Sequence, residues 1–235
     1  MALLDDITSD VSTTISTAWN TRKGNSVPTT NTVALAGGAV ELDATYLYTD
    51  LASSSKIAKD FDRRIAAKIF KAFHSTSCRL IKSHDGVITS FDGDRVLAIF
   101  IGGYKNTSAA KCALQINYVV NEVIRPKFEN SHDVVKNADF KISHGTGIDT
   151  GKVLIVRAGA RGSNDLVSIG RGPNLAAKLS DLRNARTYIT ASVYNKLADE
   201  AKLGGENKDN MWTKKSWEFL DEKITIYRSS WQWKP

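Results

Sequence analysis

The stretch from Thr89 to Phe100 constrains the fold most, because it predicts a tight β-hairpin. Two half-apolar runs flank the sequence Asp92-Gly93-Asp94, and the glycine supplies the backbone freedom that a tight turn requires. The hairpin would place Asp94 at the tip of two strands. There its carboxylate can either bind a metal ion or serve only as a turn residue.

A second carboxylate ends an earlier predicted strand. Thr45–Leu51 is rich in β-branched and aromatic residues and contains Asp50, and the segment Ala52–Ser55 that follows is typical of a helix cap. Two carboxylates on adjacent strand ends are what a pair of divalent ions needs to bind a triphosphate. An aspartate at a strand end is more often a turn former, so each motif alone leaves both interpretations open.

The remaining periodicities predict helices packed on a mostly antiparallel sheet, an α+β architecture. Residues 1–43 are predicted to form an N-terminal amphipathic helix, packed on its own domain or across a dimer, and a connector from residue 21. Residues 44–235 are predicted to form one domain. Helices are predicted over residues 55–82, 109–128, 174–182 and 191–203, and strands over 42–50, 86–91, 95–101, 140–147, 151–158, 166–169, 188–190 and 223–228.

Length and composition argue against a membrane-spanning or secreted protein. The 235 residues suffice for one large domain, and no apolar run reaches the roughly 20 residues of a membrane span. The first residues do not resemble a signal peptide, and the isolated Cys78 and Cys112 indicate buried thiols in a reducing cytoplasm. The net charge of +7 is scattered and is explained as well by a phosphate-rich ligand as by nucleic acid.

Three segments in order resemble the class III nucleotidyl cyclases. Tyr48–Ser55 and Phe91–Phe100 are similar to the two metal-aspartate motifs of that family. Val167–Leu179 is similar to its Gly-x-x-x-Asn-x-Ala-Ala-Arg-Leu segment. The resemblance runs from about residue 44 to 190. It implies a ferredoxin-like core, a homodimer, and conversion of a nucleoside triphosphate to its 3′,5′-cyclic monophosphate and pyrophosphate.

The same resemblance assigns roles to individual residues. It implies that Asp50 and Asp94 bridge two divalent cations, Mn²⁺ or Mg²⁺, with the Leu51 carbonyl completing one coordination shell. Hard oxygen ligands suit these ions. It also implies that Asn174 and Lys178 act on the ribose and the reacting phosphate from the partner subunit.

Lys178 departs from the family, which has arginine there. Lysine is a point charge without the bidentate fork of arginine. If Lys178 is only a solvated helix residue, another cation such as Arg171 or Arg183 must replace it.

Two further departures concern the base. Ser90 stands where purine cyclases have lysine, and Val167 where they have Asp, Thr or Cys, so neither can recognise a purine in the usual way. Tyr48 lies two residues before Asp50, on the same strand face. Its hydroxyl can reach a smaller base, although a core aromatic residue with a solvated tip explains it equally well.

These departures resemble the pyrimidine cyclases of the bacterial Pycsar anti-phage systems. That resemblance implies a cytoplasmic enzyme making cyclic UMP from UTP, read by a separate effector protein, with no role for nucleic acid or membrane. A cytidylate cyclase using CTP, a purine cyclase, a degenerate nucleotide-binding module and an RNA-binding protein on a similar scaffold remain alternatives.

Overall fold

The computed structural model describes residues 2–183 and 186–235. The chain divides into two compact units. The first comprises the chain up to Asp43 together with Lys152–Arg171, and the second comprises Ala44–Gly151 and Gly172–Pro235.

Helices and strands follow in chain order. The helices are α1 (Leu3–Ser16), α2 (Ser54–Asp60), α3 (Arg63–Ser83), α4 (Lys105–Tyr118), α5 (Arg125–Ser131), α6 (Asp133–Lys136), α7 (Arg171–Ser180), α8 (Ala191–Tyr194) and α9 (Asp199–Lys202). The strands are β1 (Asn20–Lys23), β2 (Gly38–Ala52), β3 (Val87–Asp92), β4 (Arg95–Phe100), β5 (Ser143–Ala160), β6 (Ser163–Ile169), β7 (Arg186–Thr190), β8 (Leu203–Gly204), β9 (Asp209–Asn210), β10 (Thr213–Phe219) and β11 (Glu222–Ser229). No described helix is both long enough and apolar enough to cross a membrane.

The first unit contains the start of β2 and the end of β5. β1 runs parallel to the start of β2, from Asn20 opposite Gly38 to Lys23 opposite Glu41. β6 folds back antiparallel on the end of β5. The sequence predicts a connector or mobile segment over residues 21–44, and the structure places β1 and the first residues of β2 in that range. Helix α1 forms as predicted but contains no buried residue, so within the described chain its apolar stripe is exposed.

The second unit contains a sheet with the strand order β10-β11-β7-β5-β2-β4-β3. β2 with β4, β3 with β4, β10 with β11, and β11 with β7 are antiparallel, and β5 with β7 is parallel. The prediction of helices on a mostly antiparallel sheet is therefore confirmed.

The two faces of this sheet carry different layers. Leu47, Leu51 and Val96 point into the main apolar core with helices α3 and α4. Leu179 of α7 packs on the other face, in a smaller cluster with Tyr188. Because successive strand residues point to opposite faces, Tyr48 and Asp50 lie on the face away from the main core.

Several predicted elements are divided or joined differently. The helix predicted over residues 55–82 is two helices, because the Asp62 carboxylate caps α3 by accepting a hydrogen bond from the Arg64 amide at 2.8 Å. The strands predicted over 140–147 and 151–158 are one strand, β5. Strand β10 has no counterpart in the prediction, since its run of Lys214, Lys215 and Ser216 is exposed and lacks the expected alternation.

Candidate active site

Two carboxylates meet where β2 ends and the β3–β4 hairpin turns. Asp50 lies opposite Arg95 in the β2–β4 register, and Asp94 immediately precedes that arginine in the turn. The Leu51 amide donates to the Asp94 carbonyl at 3.1 Å, which joins the strand end to the turn. Gly93 has φ +57°, a left-handed conformation that glycine adopts readily. The backbone alone thus brings the two predicted aspartates to adjacent positions.

Two arginines contact these carboxylates. Arg183 Nη2 lies 2.7 Å from Asp50 Oδ2 and 3.9 Å from Asp94 Oδ2, and its Nε donates to Asp50 Oδ2 at 3.0 Å. Arg95 Nε donates to the same Asp50 oxygen at 3.3 Å, while its Nη2 pairs with Asp181. Asp50 is fully buried and the side chain of Asp94 is 18% exposed. The cluster therefore holds three acidic and two basic side chains.

The surroundings of the two aspartates shift their pKa values in opposite directions. Burial raises the pKa of Asp50 to about 6, and the charge of Asp94 adds to this, while Arg183 and Arg95 oppose it. Burial alone would raise the pKa of Asp94 as well, but hydrogen bonds with Ser54 and Asp50 bring it below its usual range. Asp94 is thus the more acidic group, and a protonated Asp50 can donate a hydrogen bond to it.

The pair suits a hard divalent cation. Asp50 Oδ1 is buried and has no hydrogen-bond partner in the described residues, an unusual state for a carboxylate oxygen that a metal ligand bond would relieve. In residues 2–183 and 186–235, no group of three or more His, Cys, Asp or Glu side chains is arranged to hold a metal. A cation here would therefore take its remaining ligands from backbone carbonyls, water or substrate oxygens.

Tyr48 and Ser90 lie in one row across three strands. In the β2–β4 pairing Tyr48 is opposite Leu97, and in the β3–β4 pairing Ser90 is opposite the same residue. Directly opposed residues share a face, so these side chains line the face that also carries Asp50. Burial raises the pKa of Tyr48, so its phenol stays protonated at neutral pH and can donate as well as accept a hydrogen bond.

Asn174 and Lys178 lie one turn apart on the exposed face of α7. The helix is fixed directly on β5, because a Cβ built on Gly147 would lie 2.1 Å from the Ala176 carbonyl oxygen, and one on Gly145 would lie 2.2 Å from the Ser180 carbonyl oxygen. Only glycine permits this approach. Val167 belongs to β6 in the first unit and is 45% exposed.

Two members of the charged cluster have no place in the sequence-based site. Arg95 adjoins Asp94, and its register opposite Asp50 is the signal that identifies it. Asp181 follows α7 in the chain and carries no local signal. The sequence offers Arg183 only as a substitute for the positive charge of Lys178, and the structure places its guanidinium on the carboxylates.

Comparison with known proteins gives full-length relatives. The chain is 54% identical to a uridylate cyclase of Rhodovulum sp. (strain MB263) over 237 residues, covering 100% of this chain and 99% of the relative. It is 41% identical to uridylate cyclases of Xanthomonas perforans and Burkholderia cepacia over 235 residues each, with at least 99% of each chain covered. No protein-family model matches the sequence.

Solved structures share the fold at low identity. The adenylyl cyclase CyaB from P. aeruginosa superposes with a TM-score of 0.68 at 16% identity, covering 81% of this chain and 95% of that one. The guanylyl cyclase Cya2 gives a TM-score of 0.65 at 15% identity, with 83% and 95% covered. The described fold is therefore that of nucleotidyl cyclase domains.

Proposed function

We infer, from the premise that this chain belongs to the uridylate cyclase family of class III nucleotidyl cyclases, that it converts UTP to 3′,5′-cyclic UMP and pyrophosphate. The full-length similarity to enzymes of that name is the observation that carries the substrate assignment. The paired carboxylates at the strand ends support the reaction, since closing the ring requires a triphosphate to be held and its charge neutralised.

Asp50 and Asp94 would hold the divalent cations, Mn²⁺ or Mg²⁺, with the Leu51 carbonyl as a further ligand. Bound cations of this kind acidify the 3′-hydroxyl and neutralise the phosphates. The chain contributes preorganisation, because the bond from the Leu51 amide to the Asp94 carbonyl joins the two backbone segments that carry these side chains. Preorganised ligands of this kind need no rearrangement as the reaction proceeds.

The row of Tyr48, Leu97 and Ser90 supports a pyrimidine site. Its two hydroxyls flank an apolar side chain on the face that carries Asp50, so a small base can lie on Leu97 with polar partners at its edges. Both hydroxyls can donate and accept hydrogen bonds. Neither residue is of the lysine or acidic type that purine cyclases use to recognise the base. The base role of Val167, in the first unit, stays a prediction from the sequence.

Asn174 and Lys178 would act on the nucleotide bound to the other subunit of a homodimer. Their exposure on α7 supports this, because both side chains are presented outward. Asn174 would orient the ribose through its amide, and Lys178 would place a positive charge near the reacting phosphate. A lysine charge is less directional than the arginine fork but still stabilises the transition state.

An assay of four nucleotides tests the proposal. Purified protein is incubated separately with ATP, GTP, CTP and UTP plus Mn²⁺, and the products are separated by HPLC and identified by mass. We expect cyclic UMP and pyrophosphate from UTP. Cyclic CMP as the main product would change the substrate to CTP, a cyclic purine would overturn the pyrimidine site, and binding of UTP without turnover would indicate a degenerate module.

The biological role follows from the same family resemblance. We propose that the cyclic nucleotide is a signal in anti-phage defence, read by a separate effector protein. Plating of phage on cells carrying the cyclase and its effector, with wild-type chain or Asp94→Asn, tests this role. Equal plating on both strains would contradict it, even where the purified enzyme is active.

A further inference from the structure

Arg183 occupies the position between the two carboxylates where a cation is expected. Its guanidinium makes two contacts with Asp50 Oδ2, at 2.7 and 3.0 Å, and lies 3.9 Å from Asp94 Oδ2. The side chain is 37% exposed, whereas that of Asp50 is fully buried. One positive group thus reaches both proposed metal ligands from the solvent side.

The backbone is arranged to place this side chain there. Arg183 has φ +39°, a left-handed conformation that costs a non-glycine residue on the order of 1 kcal/mol. Gly145 on β5 permits it, because a Cβ there would lie 3.0 Å from the Arg183 Cα. Unfavourable backbone conformations persist where the surrounding structure holds them, and they concentrate at functional sites. The contact with Asp50 is therefore a built feature of the turn after α7.

The same contact obstructs a metal ion. Asp50 Oδ2 already accepts hydrogen bonds from Arg183 and Arg95, so a divalent cation on that oxygen would face two positive groups at contact distance. Arg95 is also tied to Asp181, whereas no second acidic side chain lies as close to Arg183 as Asp50 does among residues 2–183 and 186–235. Arg183 is the group that can leave.

We propose that Arg183 is a resident cation that holds Asp50 and Asp94 in position until divalent ions arrive, and that it must release Asp50 before those ions bind. It is a positioning residue, acting through the two carboxylates. The inference rests on the proposed metal site. One consequence is that metal binding depends on the nucleotide. The negative charge of a triphosphate would offset the positive charges of both the ions and the released guanidinium.

Binding of Mn²⁺ to the nucleotide-free protein tests this directly, by isothermal titration and by electron paramagnetic resonance of free Mn²⁺. A competing ion pair lowers apparent affinity by the fraction of molecules in which the site is open. We therefore expect Arg183→Gln to bind Mn²⁺ about tenfold more tightly than wild type, and Arg183→Lys to change less. Inorganic tripolyphosphate should narrow the difference between wild type and Arg183→Gln.

The controls separate this inference from the metal assignment itself. Arg79→Gln removes an exposed positive charge on α3 and should leave Mn²⁺ affinity unchanged. Loss of Mn²⁺ binding in Asp50→Asn supports the site, and its retention would contradict the proposed metal ligands whatever Arg183 does. With that site intact, unchanged or weaker Mn²⁺ binding in both Arg183 variants, at a wild-type thermal midpoint, would overturn the role of Arg183. If Arg183→Gln fails to fold, tighter Mn²⁺ binding by Arg183→Lys still supports that role, and unchanged or weaker binding contradicts it.

Discussion

The two halves of the candidate site are held in opposite ways. Asp50 and Asp94 are fixed within the chain by a backbone hydrogen bond and by arginine contacts, and Asp50 is fully buried. Asn174 and Lys178 stand on the exposed face of a helix. Both halves belong to the second unit. The difference teaches that one chain can carry a preorganised ligand pair and, separately, a presenting surface, which is the arrangement that a site composed from two subunits requires.

Removing a carboxylate of the buried half should have the largest effect. Asp94→Asn should lower the cyclisation rate by on the order of 10³-fold, because metal ligation supplies several kcal/mol of transition-state stabilisation. The rate is measured as cyclic UMP formed per minute at saturating UTP and Mn²⁺. Asp92→Asn, two residues away on the exposed end of β3, is the matched control and should keep most activity. Equal losses of activity in both variants would mean that the substitutions act by disturbing the hairpin and not by removing a metal ligand.

Mixing inactive variants tests whether the halves come from different subunits. Asp50→Ala and Asn174→Ala chains refolded together should recover about a quarter of wild-type activity, because random pairing gives half heterodimers with one intact site of two. Asp50→Ala mixed with Asp94→Ala is the control and should recover none, since both changes fall in the same half. No recovery in the first mixture would indicate that each chain owns a whole site.

Stability against pH should report the buried half. The pKa of Asp50 is raised from 3.8 to about 6 in the folded chain, so its contribution to stability is present below about pH 4 and is lost as pH rises through 6. Relative to Asp50→Asn, the metal-free wild type should therefore lose up to about 3 kcal/mol of unfolding free energy between pH 4 and pH 7. Urea unfolding with a chelator measures the difference.

The control for this titration is Asp60→Asn, an exposed carboxylate at the end of α2, which should follow the wild-type curve. The opposite outcome is that the wild type keeps or increases its unfolding free energy relative to Asp50→Asn as pH rises. That result would show that the arginine charges affect the pKa of Asp50 more than burial does.

A substitution on β5 beneath α7 should have the smallest effect on the protein. It should act on the exposed half of the candidate site, which α7 carries. Gly147→Ala would place a Cβ 2.1 Å from the Ala176 carbonyl oxygen, so the helix must move away from β5, at a cost of about 1–3 kcal/mol. Gly151→Ala on the same strand meets nothing within 4 Å and should be neutral. Thermal unfolding of both variants gives the comparison, and equal midpoints would contradict the close packing of α7.

The sequence was sufficient for the parts of the site that local chemistry determines. Asp92-Gly93-Asp94 predicts its own turn, and the β-branched and aromatic run that contains Asp50 predicts its strand. The two carboxylates then meet because these strands pair. The α+β class is likewise confirmed. The metal, ribose and base roles of individual residues stay predictions.

What the sequence could not supply depends on distant contacts. Arg183 reaches Asp50 across 133 positions, and no periodicity signals such a pair. The exposed strand β10 lacks the apolar alternation by which strands are recognised, and the division of residues 55–82 depends on one capping hydrogen bond. Residues 184 and 185, next to Arg183, lie outside the described part of the chain.

The row formed by Tyr48, Leu97 and Ser90 has a consequence for how such enzymes diversify. Their strand neighbours, such as Leu47, Val96 and Ala98, point to the opposite face and form part of the apolar core. Alternate positions along the same strands therefore serve the core on one face and the candidate site on the other. Substitutions in the row would leave the interior contacts of Leu47, Val96 and Ala98 in place. Under the proposed base site, a change of nucleobase preference would alter the row and leave the apolar face of the same strands as it is.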